Sequence, residues 1–442
     1  MALDKPATSN TSVANIETVK NIEVSLPYGK GWLKAEIPER NLISIAKPLA
    51  MKSIPNLRRA LMRALKDPIA SEGLMVLADD CKEPCIIVSD STRPTPSRVI
   101  AEVAFDILSK VGVPNNKVKI VVATGLHRKS TPEELRERLG KDILGRVEVI
   151  DHDAQDESSL VEIGSTSKGT PVWINKAVYE SDLIIGDGYI EPHFFAGYTG
   201  GGKTVLPGVS GFETIKVNHG AQMIDHPKAR AGVLIGNPIY EEIVEGANLT
   251  GLSFSINVTL NPLKRVSGIF AGGFEEAHKT GSRFLDSRVR VEVPEADIVI
   301  TTNNGYPLDR DLYQAVKGMT VGEAIVKNGG VTVIASECID GVGHPLFKEL
   351  VERCNGPEEI LNTIRAAGFF MVDQWEAQIL ARVLNRCKVI CVTSVEPDTI
   401  RRMHMTPARD FKEALEIAIN RMGRDPEIVA VPSGPSVIPH VI

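Results

Sequence analysis

Cys85-Ile-Ile-Val-Ser-Asp-Ser-Thr-Arg-Pro-Thr-Pro-Ser-Arg-Val-Ile-Ala-Glu-Val-Ala-Phe-Asp-Ile-Leu108 decides the fold class. It opens as a short β-branched apolar run, passes through a polar turn punctuated by prolines, and ends in apolar residues at helical spacing. Val118-Lys-Ile-Val-Val-Ala123 then starts the next strand. The unit recurs at Val147-Glu-Val-Ile150, Leu183-Ile-Ile185, Asp297-Ile-Val-Ile-Thr301, Val331-Thr-Val-Ile-Ala335, Lys388-Val-Ile-Cys-Val392 and Ile428-Val-Ala-Val431. Continuous apolar strands separated by helices are buried on both faces and pair in parallel. The expected fold is α/β, with two domains that each hold a largely parallel sheet flanked by helices. Residues 1–274 are assigned to the first domain and 275–442 to the second, and the last strand is left open between them.

In such sheets chemistry gathers beyond the carboxyl ends of the strands. Asp90-Ser-Thr-Arg93, Thr124-Gly-Leu-His127 and Gly186-Asp-Gly-Tyr-Ile-Glu-Pro-His193 follow three strands of the first domain. Thr302-Asn-Asn-Gly-Tyr-Pro-Leu-Asp309 follows a strand of the second. The active site is therefore expected in the crevice between the domains. Thr131-Pro-Glu-Glu134 reads as a helix start with a capping box, which leaves His127 on the loop before it.

The densest chemistry lies in Ile190-Glu-Pro-His-Phe-Phe-Ala-Gly-Tyr-Thr-Gly-Gly-Gly-Lys-Thr-Val-Leu-Pro-Gly-Val-Ser-Gly-Phe-Glu-Thr-Ile-Lys-Val-Asn-His-Gly220. Imidazoles move protons near neutral pH or bind soft metals, and a desolvated lysine amine is a nucleophile. His193, Lys203 and His219 around a glycine-rich turn resemble a cofactor site. Gly197–Thr204 also satisfies the G-x-x-x-x-G-K-[ST] phosphate-loop pattern, which has meaning only between a strand and a helix. The preceding apolar run ends some ten residues too early, and Pro207 and Gly208 oppose a helix starting at Lys203.

The chain has 442 residues, 43% hydrophobic and 24% charged, with net charge −6. That balance gives no electrostatic reason to expect a nucleic acid or an anionic membrane as partner. No apolar run has the ~20 residues of a membrane span. The opening residues Met1-Ala-Leu-Asp-Lys-Pro-Ala-Thr-Ser-Asn10 lack the apolar core of a secretory signal, so a cytoplasmic location is expected. The six cysteines lack the tight pairing of a zinc site and read as packing residues. His152, His226, His278, His344, His404 and His440 read as structural or solvated.

From Leu26-Pro-Tyr-Gly29 almost to the C-terminus the sequence resembles the nickel-dependent lactate racemase family. The resemblance is carried by Ser89-Asp-Ser-Thr-Arg-Pro-Thr-Pro96, Ala123-Thr-Gly-Leu-His-Arg128, Pro192-His-Phe-Phe-Ala-Gly197 and Lys203-Thr-Val-Leu-Pro-Gly208. Asn218-His219, Gly305-Tyr-Pro-Leu-Asp309, Tyr313-Gln-Ala-Val-Lys-Gly-Met-Thr320 and Asp373-Gln-Trp-Glu-Ala-Gln378 complete it in the same order.

The resemblance implies a nickel-pincer nucleotide, a pyridinium mononucleotide whose two thiocarbonyl arms chelate nickel. It implies attachment at Lys203, nickel ligation by His219, and acid–base roles for His127 and His193. Asp90, Ser91, Thr92, Arg93 and Trp375 would contact cofactor, and Arg93, Gln314 and Lys317 substrate. The implied reaction interconverts D and L forms of a small 2-hydroxy acid, lactate first. It proceeds by hydride transfer to the nucleotide through a planar 2-keto acid, which avoids a carbanion at a weakly acidic carbon. Implied partners are the 2-hydroxy acid and the proteins that make the cofactor. Family members often carry arginine before the lysine, where this chain has Gly202. The alternatives are a racemase of another 2-hydroxy acid, a phosphate-loop nucleotide hydrolase, and a relative that stores the cofactor without turnover.

Overall fold

The computed structural model describes residues 20–423 and 425–442; the opening residues 1–10 lie outside that range. The described chain begins with a hairpin, β1 (Asn21–Tyr28) on β2 (Gly31–Pro38), and a short strand, β3 (Leu42–Ile45). Next come β4 (Pro84–Ser89), β5 (Lys119–Ala123), β6 (Glu148–Asp151), the hairpin of β7 (Leu160–Ser165) with β8 (Pro171–Asn175), and β9 (Leu183–Tyr189). The tiny pair β10 (Pro192–His193) and β11 (Gly197–Tyr198) precedes β12 (Leu252–Leu260) and β13 (Val266–Gly272). The rest of the chain supplies β14 (Arg290–Val293), β15 (Ala296–Thr302), β16 (Val326–Ala335), β17 (Lys388–Val392), β18 (Thr406–Ala408), β19 (Ile428–Val431) and β20 (Ile438–Val441).

Two six-stranded sheets result, ordered β13-β12-β9-β4-β5-β6 and β18-β17-β16-β15-β19-β3. Every pairing in them is parallel except that of β12 with β13. The fold is α/β, as the strand runs require. Alternation divides the β4–β5 side chains between two apolar cores. Ile86, Val88, Ile120 and Val122 pack with Leu61, Leu65, Ile100 and Val103, while Cys85, Ile87 and Val121 pack with Val205, Val209 and Ala247. The helix Pro132–Leu144 begins at a complete Thr131–Glu134 capping box, worth about 1 kcal/mol.

Chain order does not follow the expected division into 1–274 and 275–442. Strand β3 pairs in parallel with β19, and Val24, Leu26, Ala35 and Ile37 of the first hairpin pack with Ile298, Ile300 and Val333 of the second sheet. Helix Phe274–Val289 packs instead on β12 and β13 of the first sheet. The last apolar run, β19, lies inside the second sheet between β15 and β3. One apolar core joins Phe194, Phe195, Leu206 and Ile215 to Tyr313, Val316, Trp375 and Leu380, so the units share buried surface where their loops meet.

The phosphate-loop reading fails on structure. Gly201–Thr204 is a single 3-10 turn, β9 ends at Tyr189, and the next helix starts only at Phe212. All six cysteines are free, and Cys391 lies buried against Met405. Among the described residues no helix is long and apolar enough to cross a membrane.

Candidate active site

The loops after β4 and β5 bring Asp90 and His127 together, with His127 Nδ1 2.7 Å from Asp90 Oδ2. Asp90 also accepts bonds from the Thr92 amide and hydroxyl. Burial opposes its charge, but the His127 hydrogen bond and charge hold its carboxyl down to about 2. A carboxylate only accepts hydrogen bonds, so His127 Nδ1 donates, and in the neutral form of the ring the lone pair is on Nε2. Below this pair, fully buried Asp187 at the end of β9 accepts bonds from the Ser89 amide and hydroxyl and so fixes where the Asp90 loop begins.

His193 has the opposite arrangement. Its Nδ1 accepts the amides of Ala196 at 3.2 Å and Phe195 at 3.5 Å, so the neutral ring carries its proton on Nε2. Burial and the charges of Lys203, Lys317 and Arg93 push its protonation well below the usual histidine range. The ring lies 4.9 Å from Phe194 and 4.4 Å from Phe195, centre to centre.

Phe195 organises the rest of this pocket. His219 meets it edge-on at 5.1 Å, and the Lys203 amine stands 5.9 Å from the ring centre. His219 caps the helix Phe212–Asn218, which folds the chain back beside the glycine turn. It is buried, its Nδ1 has no hydrogen-bond partner, and burial with the Lys203 charge lowers its protonation to about 3. Burial, with Arg93 and Lys317, brings the Lys203 amine down to about 7. The turn needs glycine. Gly201 has φ +56°, and a β-carbon there would lie 2.6 Å from the His278 ring.

The second unit closes the pocket with the helices Leu312–Ile325 and Gln374–Arg386. Lys317 donates to Gln314 Oε1 at 2.6 Å and lies 5.9 Å from the Phe194 ring centre. Trp375 packs edge-on against His219 at 5.7 Å and donates from Nε1 to the Tyr313 hydroxyl at 2.9 Å. That hydroxyl donates to Asp373, which also accepts from His344 Nδ1, and His344 stacks on Tyr313 at 3.7 Å. His344 is thus part of the wall behind Trp375.

Arg93 stands at the outer side of the site, its Nη1 3.4 Å from Glu191 Oε1. Beyond it lies a cavity of about 930 Å³ between the two units, which Ser91, Thr92, Arg93 and Glu191 help to line. Lys203, His193 and His219 are not in its wall. Ser91 and Thr92 are exposed there, and Ser91 donates to Glu134. The residues singled out in the sequence therefore form two groups. One is an inner cluster of His193, Lys203, His219, Gln314, Lys317 and Trp375, and the other a rim of Asp90, Ser91, Thr92, Arg93 and His127.

Two family models match the chain, the lactate racemase N-terminal domain over residues 28–232 and the lactate racemase C-terminal domain over 291–439. The chain belongs to the lactate racemase family. It is 41% identical over 423 residues to the lactate racemase of Thermoanaerobacterium thermosaccharolyticum, covering 95% of this chain and 99% of that one. It is 40% identical over 424 residues to the lactate racemase of Lactiplantibacillus plantarum, covering 94% and 99%. The solved lactate racemase apoprotein from T. thermosaccharolyticum superposes with TM-score 0.90 at 39% identity, over 95% of this chain and 100% of that one. A Thermotoga maritima protein of solved structure, 17% identical, shares the fold with TM-score 0.66 over 89% of this chain.

Membership in the lactate racemase family makes Gly202 notable, and packing accounts for it. A β-carbon at position 202 would lie 3.0 Å from Ile243 Cγ2, 3.1 Å from the Ile243 carbonyl and 3.2 Å from Ala247, all in the helix Pro238–Thr250. A side chain here requires Ile243 and Ala247 to give by a few tenths of an ångström. Sequence reasoning missed Glu191, Glu376 and Asp187. Glu191 stood two residues before His193, where a carboxylate at a strand end was a readable signal. Glu376 is 1% exposed, its Oε1 lacks a partner, and burial pushes it up to about 8 against the pull of Lys317. Nothing in its helical surroundings distinguished it from a solvated glutamate.

Proposed function

We propose that this lactate racemase family member interconverts D- and L-lactate, holding a nickel-pincer nucleotide on Lys203 with His219 as the protein's nickel ligand. One observation carries the reading: a lysine amine poised near neutrality and a buried imidazole nitrogen without a partner share the Phe195 ring. Among the described residues no three histidine, cysteine, aspartate or glutamate side chains cluster to hold a metal alone. A metal at His219 therefore needs donors that a cofactor brings, and neutral imidazole suits a soft sulfur-ligated ion.

An amine near 7 is partly uncharged at neutral pH, and only the uncharged form attacks a thiocarboxyl carbon. When bound, the group supplies a hydride acceptor for the substrate's C2. The chain's residues handle the remaining charge and protons. Arg93 and Lys317 are the cations for the carboxylate. His127 Nε2 has the lone pair to take a hydroxyl proton, and His193 Nε2 has a proton to offer an oxygen. Enantiomers that present C2–H to one acceptor point their hydroxyls to opposite sides, so two imidazoles on different loops are required within about 3 Å of each. Phe194, Phe195 and Trp375 keep water from the keto acid formed between the two half-reactions.

The test is protein produced together with the cofactor-making proteins. Chiral analysis should show lactate racemisation, and intact-mass spectrometry an adduct of nucleotide size that is absent from Lys203→Ala. His219→Ala should lose nickel while keeping its circular dichroism spectrum. Loaded protein that leaves both lactates unchanged, or an adduct on another lysine, refutes the proposal.

A further inference from the structure

Arg93 does not face the site as a free cation. Its Nη1 lies 3.4 Å from Glu191 Oε1, and the two side chains are only 29% and 25% exposed. Neither backbone is free to drift. The Arg93 carbonyl accepts Arg138 Nη2 at 2.6 Å, and its amide donates to the Asp90 carbonyl at 3.2 Å. The Glu191 amide donates to Thr199 Oγ1 at 3.0 Å, and its carbonyl accepts the Thr199 amide at 2.9 Å. Glu191 is thereby fixed two residues before His193, on the wall of the cavity that Arg93 also lines.

Charge counting gives this carboxylate a consequence. The site's cations are Arg93, Lys203 and Lys317. Lys203 is consumed as a cation once its amine is acylated. Lys317 is half-buried and keeps its ammonium on Gln314. Arg93 is partly neutralised by Glu191, and the ionised Asp90 lies in the same rim, so little positive charge is left for a second carboxylate. A guanidinium has five N–H donors, so Arg93 can keep Nη1 on Glu191 and offer other donors to a ligand. A second carboxylate reaching from the pocket toward the cavity would meet Glu191 instead of a cation, and like charges brought together out of water are costly.

We propose that Glu191 restricts this site to 2-hydroxy acids bearing a single carboxylate. This specificity role rests on the racemase reading above. In cofactor-loaded protein, Glu191→Gln should raise the kcat/KM for malate relative to that for lactate by about tenfold or more, as expected when a like charge is removed. Glu191→Asp, which keeps the charge, should stay near the wild-type ratio. An unchanged ratio in Glu191→Gln overturns the proposal, and so does an equal loss on both acids, which would make Glu191 only a brace for Arg93. A measurement on wild-type protein holds if the variant does not fold: succinate should inhibit lactate turnover about tenfold more weakly than propanoate, and equal inhibition overturns the proposal. If wild-type protein racemises no lactate, the racemase reading fails by itself. Calorimetric titration of the protein with propanoate and succinate then decides the Glu191 claim separately, tighter or equal succinate binding refuting it.

Discussion

His127 and His193 are the same residue type in opposed surroundings. His127 sits on the rim with its side chain 43% exposed, donating Nδ1–H to a carboxylate held ionised. His193 sits among phenylalanines and accepts backbone amides at Nδ1. The hydrogen bond on the far nitrogen sets what the near nitrogen can do: His127 offers a lone pair and His193 a proton. The residue type fixes the chemistry available, and the neighbour fixes the direction in which the proton moves.

Replacing either ring tests this difference most strongly. His127→Ala and His193→Ala should each lower lactate racemisation by about 10²–10⁴-fold, because a racemase needs a donor and an acceptor in each half-reaction. Cofactor bleaching with D- and L-lactate offered separately sharpens the assignment. In His193→Ala, which keeps the lone-pair imidazole, one enantiomer should bleach and the other should not. Near-wild-type racemisation in both variants breaks the two-imidazole scheme.

A smaller effect should follow from Asp90→Asn. The amide can present its N–H₂ to His127 Nδ1, which moves the ring proton to Nε2 and gives His127 the tautomer of His193. Turnover should fall by about 10²-fold, within the range for positioned general bases, with circular dichroism unchanged. Unaltered turnover would show that the His127–Asp90 bond does not set the tautomer.

The smallest effect is on stability. The Asp90 carboxyl goes from an ordinary 3.8 when unfolded to about 2 when folded. A depressed folded value contributes stability present above pH 3.8 that is lost as pH falls toward 2. The shift corresponds to about 2 kcal/mol. Denaturant unfolding should find wild type more stable than Asp90→Asn near neutrality, with the gap closing between about pH 4 and pH 2. A gap that stays constant through acid would remove the ionised carboxylate from the comparison.

Much of the fold could be read along the chain because each strand carries its own signal. The eight apolar runs all became strands, and Ile428–Val431 did so without a change of boundary. The hairpins, β12 and β13 were harder, since their residues mix polar and apolar faces that also suit loops. The placement of β3 beside β19 was not legible at all, because pairing between strands far apart in sequence depends on which edge stays open. At the site, the glycine turn and its neighbouring histidines stood out by composition. Glu376 did not, and Glu191 showed only its place at a strand end, because a carboxylate's role depends on which cation the fold puts beside it.

By itself the sequence determined the strand–helix alternation, the residue types available for chemistry, and membership in the lactate racemase family. Those are local properties, written in apolar spacing and short motifs. Only the tertiary structure decided that β3 crosses to the second sheet, that Phe195 brings Lys203 to His219, and that His127 and His193 hold their protons on opposite nitrogens. It also decided that Arg93 meets Glu191 and that position 202 is tightly packed against Ile243 and Ala247. Each depends on distances of a few ångströms between segments remote in sequence, where burial strengthens charges and hydrogen bonds that water would otherwise mute.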